Sequence, residues 1–98
     1  MKFCILVAMN DQSLVDTLYN LYNEYKYNMQ IFLYNDGVLL LNNPSFLELT
    51  KRLRTTLCSV SADERNIRKQ ENVFWGSLYD LSTMISNADR LISFTREA

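Results

Sequence analysis

The chain has 98 residues, with 10 Lys and Arg against 11 Asp and Glu and a formal net charge of -1. With 48% hydrophobic and 21% charged residues, it carries enough apolar material to exclude global disorder and to fit a single folded domain over 1–98. The balanced charge argues against duplex nucleic acid as a partner, because phosphate contacts dominate such binding and call for a basic excess.

Residues 3–9, Phe3 to Met9, form a continuous apolar run, the mark of a strand covered on both faces, and Asn10-Asp11 ends it. The run is too short and too quickly followed by Asp11 to read as a targeting segment. From Leu14 the period changes: Leu14, Leu18, Leu21 and Tyr25 line one face of a helix of about four turns, capped by Asp11 or Ser13 and left near Asn28. Met29 to Tyr34 is the second strand, closed by the turn residues Asn35-Asp36-Gly37. Val38 to Leu41 fits neither period. Asn43-Pro44 is a cap followed by proline at the first helical position, and Phe46, Leu49 and Leu53 stripe a second helix to about Arg52.

Thr55 to Val60 reads as the third strand. Ser61-Ala62-Asp63-Glu64 has the form of a capping box, which predicts a helix from there, exposed or mobile because residues 62–72 are mostly charged and polar. Ser77 to Asp80 is a second capping box. It opens a last long helix striped by Leu78, Leu81 and Ile85 that stops near Asn87, and Leu91 to Phe94 is the last strand. The order is strand, helix, strand, helix, strand, helix, helix, strand. Such alternation needs crossover connections, so the expected fold is a three-layer α/β/α sandwich around a mainly parallel sheet of four to five strands.

In open parallel sheets ligands bind beyond the carboxyl ends of the strands. Three candidate segments lie there: Asn10-Asp11, Asp36-Gly37, and Cys58 to Ser61. Histidine is absent, which removes the commonest general base and metal ligand and any Ser–His or Cys–His pair within the chain. Two cysteines are too few for a structural zinc site in one chain, and neither GxGxxG nor GxxxxGK[ST] occurs, so no metal and no cofactor are expected. No apolar run nears the ~20 residues of a membrane span, and two cysteines in so apolar a chain suggest a reduced, cytoplasmic setting.

Cys58 is the reactive candidate. A helix N-terminus just beyond it, with Arg65 further on, would favour a thiolate. The alternative is a small buried hydrophobe, which is the reading for Cys4 in its apolar run. Asp36 is either a turn former or part of the site. Tyr19, Tyr22, Tyr25, Tyr27 and Tyr34 suit packing on the sheet or an oligomer interface. Lys51, Arg52 and Arg54 read as a solvated helix end, with an anionic partner as the alternative.

Three segments together resemble the DsrE/DsrF-like sulfur-relay family, which includes TusD-type subunits. They are Asp36-Gly37-Val38 after the second strand; Cys58, Ser61-Ala62, Arg65 and Ile67; and Gly76-Ser77-Leu78, Leu81 and Ala88 to Phe94. The family usually has glycine after the arginine. Here Asn66 stands there, and asparagine tolerates the same left-handed turn. The resemblance implies a carrier that accepts sulfane sulfur as a persulfide on Cys58 and passes it to a partner protein. Arg65, Asp36 and Ser61 would then be binding residues around it. It also implies a homo-oligomer, a trimer or hexamer. The competing reading is a catalytically silent DsrE-like assembly subunit in which Cys58 only packs. A third is a small-ligand domain using Asp11, Asp36 and the helix N-terminus after Val60.

Overall fold

A computed structural model describes residues 1–95, without the side chain of Tyr27, so the packing expected of Tyr27 lies outside the described residues. Five strands alternate with helices: β1 (Phe3–Val7), α1 (Gln12–Tyr25), β2 (Met29–Leu33), α2 (Pro44–Thr50), β3 (Thr55–Cys58), α3 (Ser59–Glu64), β4 (Val73–Gly76), α4 (Leu78–Ser86) and β5 (Arg90–Phe94). Short 3₁₀ segments cover Lys26–Asn28 and Asn35–Asn42. The sheet order is β4-β3-β2-β1-β5 and every pairing is parallel. The expected α/β sandwich is thus present, with five strands.

The topology decides how the layers are filled. Three successive right-handed crossovers run from β1 towards β4, placing α1, α2 and α3 on one face. The single return from β4 to β5 places α4 alone on the other. The first face holds the main core: Ile5, Val7, Ile31, Leu33 and Leu57 from the strands meet Leu14, Val15, Leu18, Phe46 and Leu49 from the helices. Each of the three buried α1 side chains contributes roughly 1.5–3 kcal/mol by leaving water.

The helix caps follow the sequence. Asp11 Oδ1 accepts from the Ser13 N–H at 3.0 Å, and Asn43 Oδ1 accepts from the N–H groups of Ser45 and Phe46. Ser77 and Asp80 form the reciprocal box at α4. Tyr19, Tyr22 and Tyr25 pack against the core, and the Tyr19 hydroxyl donates to the Ser45 carbonyl at 2.6 Å.

Several expectations are corrected. The first helix ends at Tyr25, with Lys26 at φ 53°, before Asn28. The unassigned Val38–Leu41 run belongs to the 3₁₀ segment and buries Val38, Leu40 and Leu41. The second helix ends at Thr50 rather than Arg52. The third strand ends at Cys58 because Ser59 and Val60 are already helical, so the Ser61 box caps nothing. That helix stops at Glu64, and a fourth strand, β4, lies between it and α4, where the sequence suggested two consecutive helices. The Leu78, Leu81, Ile85 stripe does not form a buried seam, since α4 has no buried residue.

Candidate functional site

Asp36, from the 3₁₀ segment after β2, meets Ser61 and Arg65, from α3 and its C-cap, beyond the carboxyl end of the sheet. Asn35 takes φ 50°, a left-handed conformation asparagine accepts, and this turns the chain from β2 into the 3₁₀ segment. Gly37 then lies against β1: a Cβ there would run into the Val7 carbonyl, so only glycine fits. This close approach is the physical reason for the Asp36-Gly37 pair.

Arg65 is the C-cap of α3, not a residue one turn into a helix. Its Nε donates to Asp36 Oδ1 at 3.0 Å, and its Nη1 donates to the Ser61 carbonyl at 3.2 Å. Asn66 follows at φ 55°, the left-handed turn expected of it. The Arg65 side chain is 24% exposed and the Asp36 side chain 63%, so the ion pair is worth at most about 1 kcal/mol. It acts mainly as a positional tie between the 3₁₀ segment after β2 and helix α3 after β3. Ser61 is buried, and its hydroxyl oxygen accepts from the Asn35 N–H at 3.0 Å. The sequence marks Asn35 as a turn residue, but not as the partner of Ser61.

Cys58 is the N-cap of α3, and its thiol makes no capping hydrogen bond. First-turn N–H groups of a helix have no partner within the helix, and here they follow the cysteine directly. The structure makes no hydrogen bond or ion pair between Cys58 and Asp36, Ser61 or Arg65 among the described residues; those three form a cluster of their own. Cys58 is only 4% exposed. Strand alternation explains part of this. Leu57 faces the main core, so Cys58 faces the α4 side, beside Gly76 in the register. Gly76 lets α4 approach, since a Cβ there would lie 2.7 Å from Asp80 Oδ2. Cys4 is 1% exposed, and burial pushes its thiol up from the ordinary value of 9.0. Both cysteines are free. Among the described residues, no three Cys, Asp or Glu side chains gather where they could hold a metal ion. No helix of the described residues is long and apolar enough to cross a membrane.

No curated protein matches the chain in sequence. Among solved structures it is similar to the ychN protein from E. coli, with a TM-score of 0.74 at 19% identity over 96% of this chain and 100% of that one. At that identity the likeness speaks to the fold, and it agrees with the all-parallel sheet described above. The sequence profile of the DsrE/DsrF-like family matches residues 1–94, which takes in the Asp36-Gly37 turn, the Cys58 to Arg65 segment and the last helix and strand. The chain belongs to the DsrE/DsrF-like family.

Proposed function

We propose that the chain is a sulfur carrier that takes sulfane sulfur as a persulfide on Cys58 and passes it to a partner protein. The observation that carries this reading is the position of Cys58: it caps α3 at the carboxyl end of β3, beside first-turn N–H groups, with its thiol committed to no hydrogen bond. Membership of the DsrE/DsrF-like family supports it. In the step proposed, the Cys58 thiolate attacks the outer sulfur of a donor persulfide. A new S–S bond forms on Cys58, the donor's S–S bond breaks, and the donor leaves as a thiolate with no net oxidation. Transfer onward repeats the exchange with Cys58 as the leaving group. No histidine is needed, because the attacking group is the thiolate itself. The Asp36–Arg65–Ser61 tie holds helix α3, which follows Cys58 directly, and Arg65 at its C-cap is the residue the family resemblance assigns to the loaded anion.

The setting proposed is a cytoplasmic homo-oligomer, a trimer or hexamer, of one DsrE-like domain. Support for assembly comes from the α4 side, where Phe74, Leu78, Tyr79 and Leu91 are exposed apolar side chains. Burial of Cys58 favours a second reading, an assembly subunit in which the thiol only packs.

Intact-mass measurement of the full chain after incubation with inorganic polysulfide separates the two. The carrier gains one sulfur atom, keeps the gain in Cys4→Ala and loses it in Cys58→Ser. A chain that gains no sulfur, or gains it equally in Cys58→Ser, is the assembly subunit.

A further inference from the structure

We infer that the groove between α4 and the amino-terminal half of the sheet is a binding site for a small oxyanion, a phosphate or carboxylate group, held by Arg54 and Thr56. Its walls run from Lys2 and Arg54, at the amino ends of the strands, to Thr56, two residues before Cys58 on β3. Two adjoining compartments, about 120 and 280 Å³, share Gln30, Arg54, Met84 and Asn87 in their walls. The larger by itself approaches the lower size of a small-ligand pocket, roughly 300 Å³.

The composition of the floor is the first argument. Strands of a parallel sheet are normally apolar on both faces, yet on this face β2 contributes Gln30 and β3 contributes Thr56. Thr56 is 2% exposed and lines the groove. The second argument is satisfaction. Among the described residues, the side chains of Gln30, Arg54, Thr56 and Asn87 make no hydrogen bond and no ion pair. Arg54 and Asn87 are exposed and Gln30 half-buried, so Thr56 is the buried residue of the four, where a polar side chain ordinarily finds a partner. A threonine this buried with no protein partner, lining one groove with three polar side chains that are also uncommitted, leaves donors free for a ligand.

Charge selects the ligand. Arg54 is the cation common to both compartments, and Lys2 borders the second. Asp80 borders the first, but its Oδ2 already accepts from the N–H and hydroxyl of Ser77. Asp89 is close, with Oδ2 accepting from the Lys2 N–H at 2.8 Å. The carboxyl end of α4 brings partial negative charge to the Asn87 rim. The anion's place is therefore the Arg54–Thr56 side, where a guanidinium fork can take two oxygens and a hydroxyl a third.

The test is an NMR titration of the isotope-labelled full chain with inorganic phosphate and, separately, with acetate, at constant ionic strength set by chloride. Saturable shifts are expected at the amides of Gln30, Thr56 and Asn87 and at Arg54 Nε. Saturation by phosphate alone, or by acetate alone, assigns the ligand's group. Arg54→Gln, at an exposed position, is expected to weaken binding by about ten- to a hundredfold. Thr56→Val, which keeps the shape, is expected to weaken it severalfold, and Cys58→Ser is expected to leave it unchanged. Absence of saturation with either ion at tens of millimolar overturns the inference. So does an affinity unchanged in Arg54→Gln, or shifts that map to Arg65 instead.

Discussion

The two faces of the sheet follow different rules. Under α1, α2 and α3 the strands present Ile5, Val7, Ile31, Leu33 and Leu57, all closed over. Under α4 the same strands present Cys4, Gln30, Phe32, Thr56 and Phe74, a mixture of buried apolar, buried polar and exposed side chains. Three helices side by side seal the first face, while one helix with no buried residue leans over the second. One crossover returning across the whole sheet cannot cover five strands. The difference teaches that the closed core lies on one side of the sheet, while the other leaves polar and apolar side chains open to solvent.

The sharpest way to break this contrast is a pair of truncations. Phe46→Ala, in the sealed face, is expected to cost about 3–5 kcal/mol. Phe74→Ala, 56% exposed on the other face, is expected to cost less than about 1 kcal/mol. Urea unfolding of both variants measures the difference, and equal costs would mean that the α4 side is part of the core. Gly37→Ala comes next. Its Cβ has to displace the Val7 carbonyl, at an expected cost of about 1–3 kcal/mol in the same experiment.

Cys4 sharpens the comparison through pH. Its thiol lies above the ordinary value in the folded chain, so folding favours the protonated form. The stability this gives is complete below the unfolded thiol's pKa and falls as pH rises through the folded one. Unfolding curves measured upward from pH 9.0 should show a decline that is shallower in Cys4→Ala than in the parent chain. Identical slopes would remove Cys4 from the account. The smallest expected effect belongs to Lys26, whose φ of 53° with ψ of -133° is strained for a side chain with a Cβ. Lys26→Gly is expected to raise stability by about 1 kcal/mol, after losing the Lys26–Tyr22 ring contact. A loss would show that the ring contact outweighs the strain.

The sequence made the sealed face legible because its signals are local and repeated. The apolar run of β1, the four-residue spacing of Leu14 and Leu18, and Asn43-Pro44 each point to a single structure. The strand β4 was not legible. Four residues, Val73 to Gly76, at a sheet edge and after a charged stretch carry no period to detect. Ser61 misled for a physical reason: a serine three residues before a glutamate looks like a cap, but the hydroxyl is taken by Asn35, a residue 26 positions away. Asp36, Ser61 and Arg65 were candidates from their places near strand ends and beyond Cys58, and the resemblance grouped them as binding residues. Their mutual contacts, and the bond of Ser61 to Asn35, are long-range pairings that spacing does not reveal. The polar floor under α4 was visible only as Gln30 inside an apolar run and Thr56 inside a β-branched one. Neither means anything until the register sets them on one face.

The strand order also governs how the chain is made. Strands β1 to β4 can pair in the order they are synthesised, each with the one before it. The outer flank of β1 has to wait for residues 90–94, whose backbone fixes Phe3 beside Arg90 and Val7 beside Phe94. Closing so long a loop is slow relative to the local steps before it. Throughout that interval the most apolar strand of the protein stands as an open edge at the ribosome, a template for pairing with any other extended chain. Docking of β5, where the Lys2 N–H donates to Asp89 Oδ2 and the Lys2 carbonyl accepts from the Asp89 and Arg90 N–H groups, therefore ends the period in which the nascent protein is most exposed to aggregation.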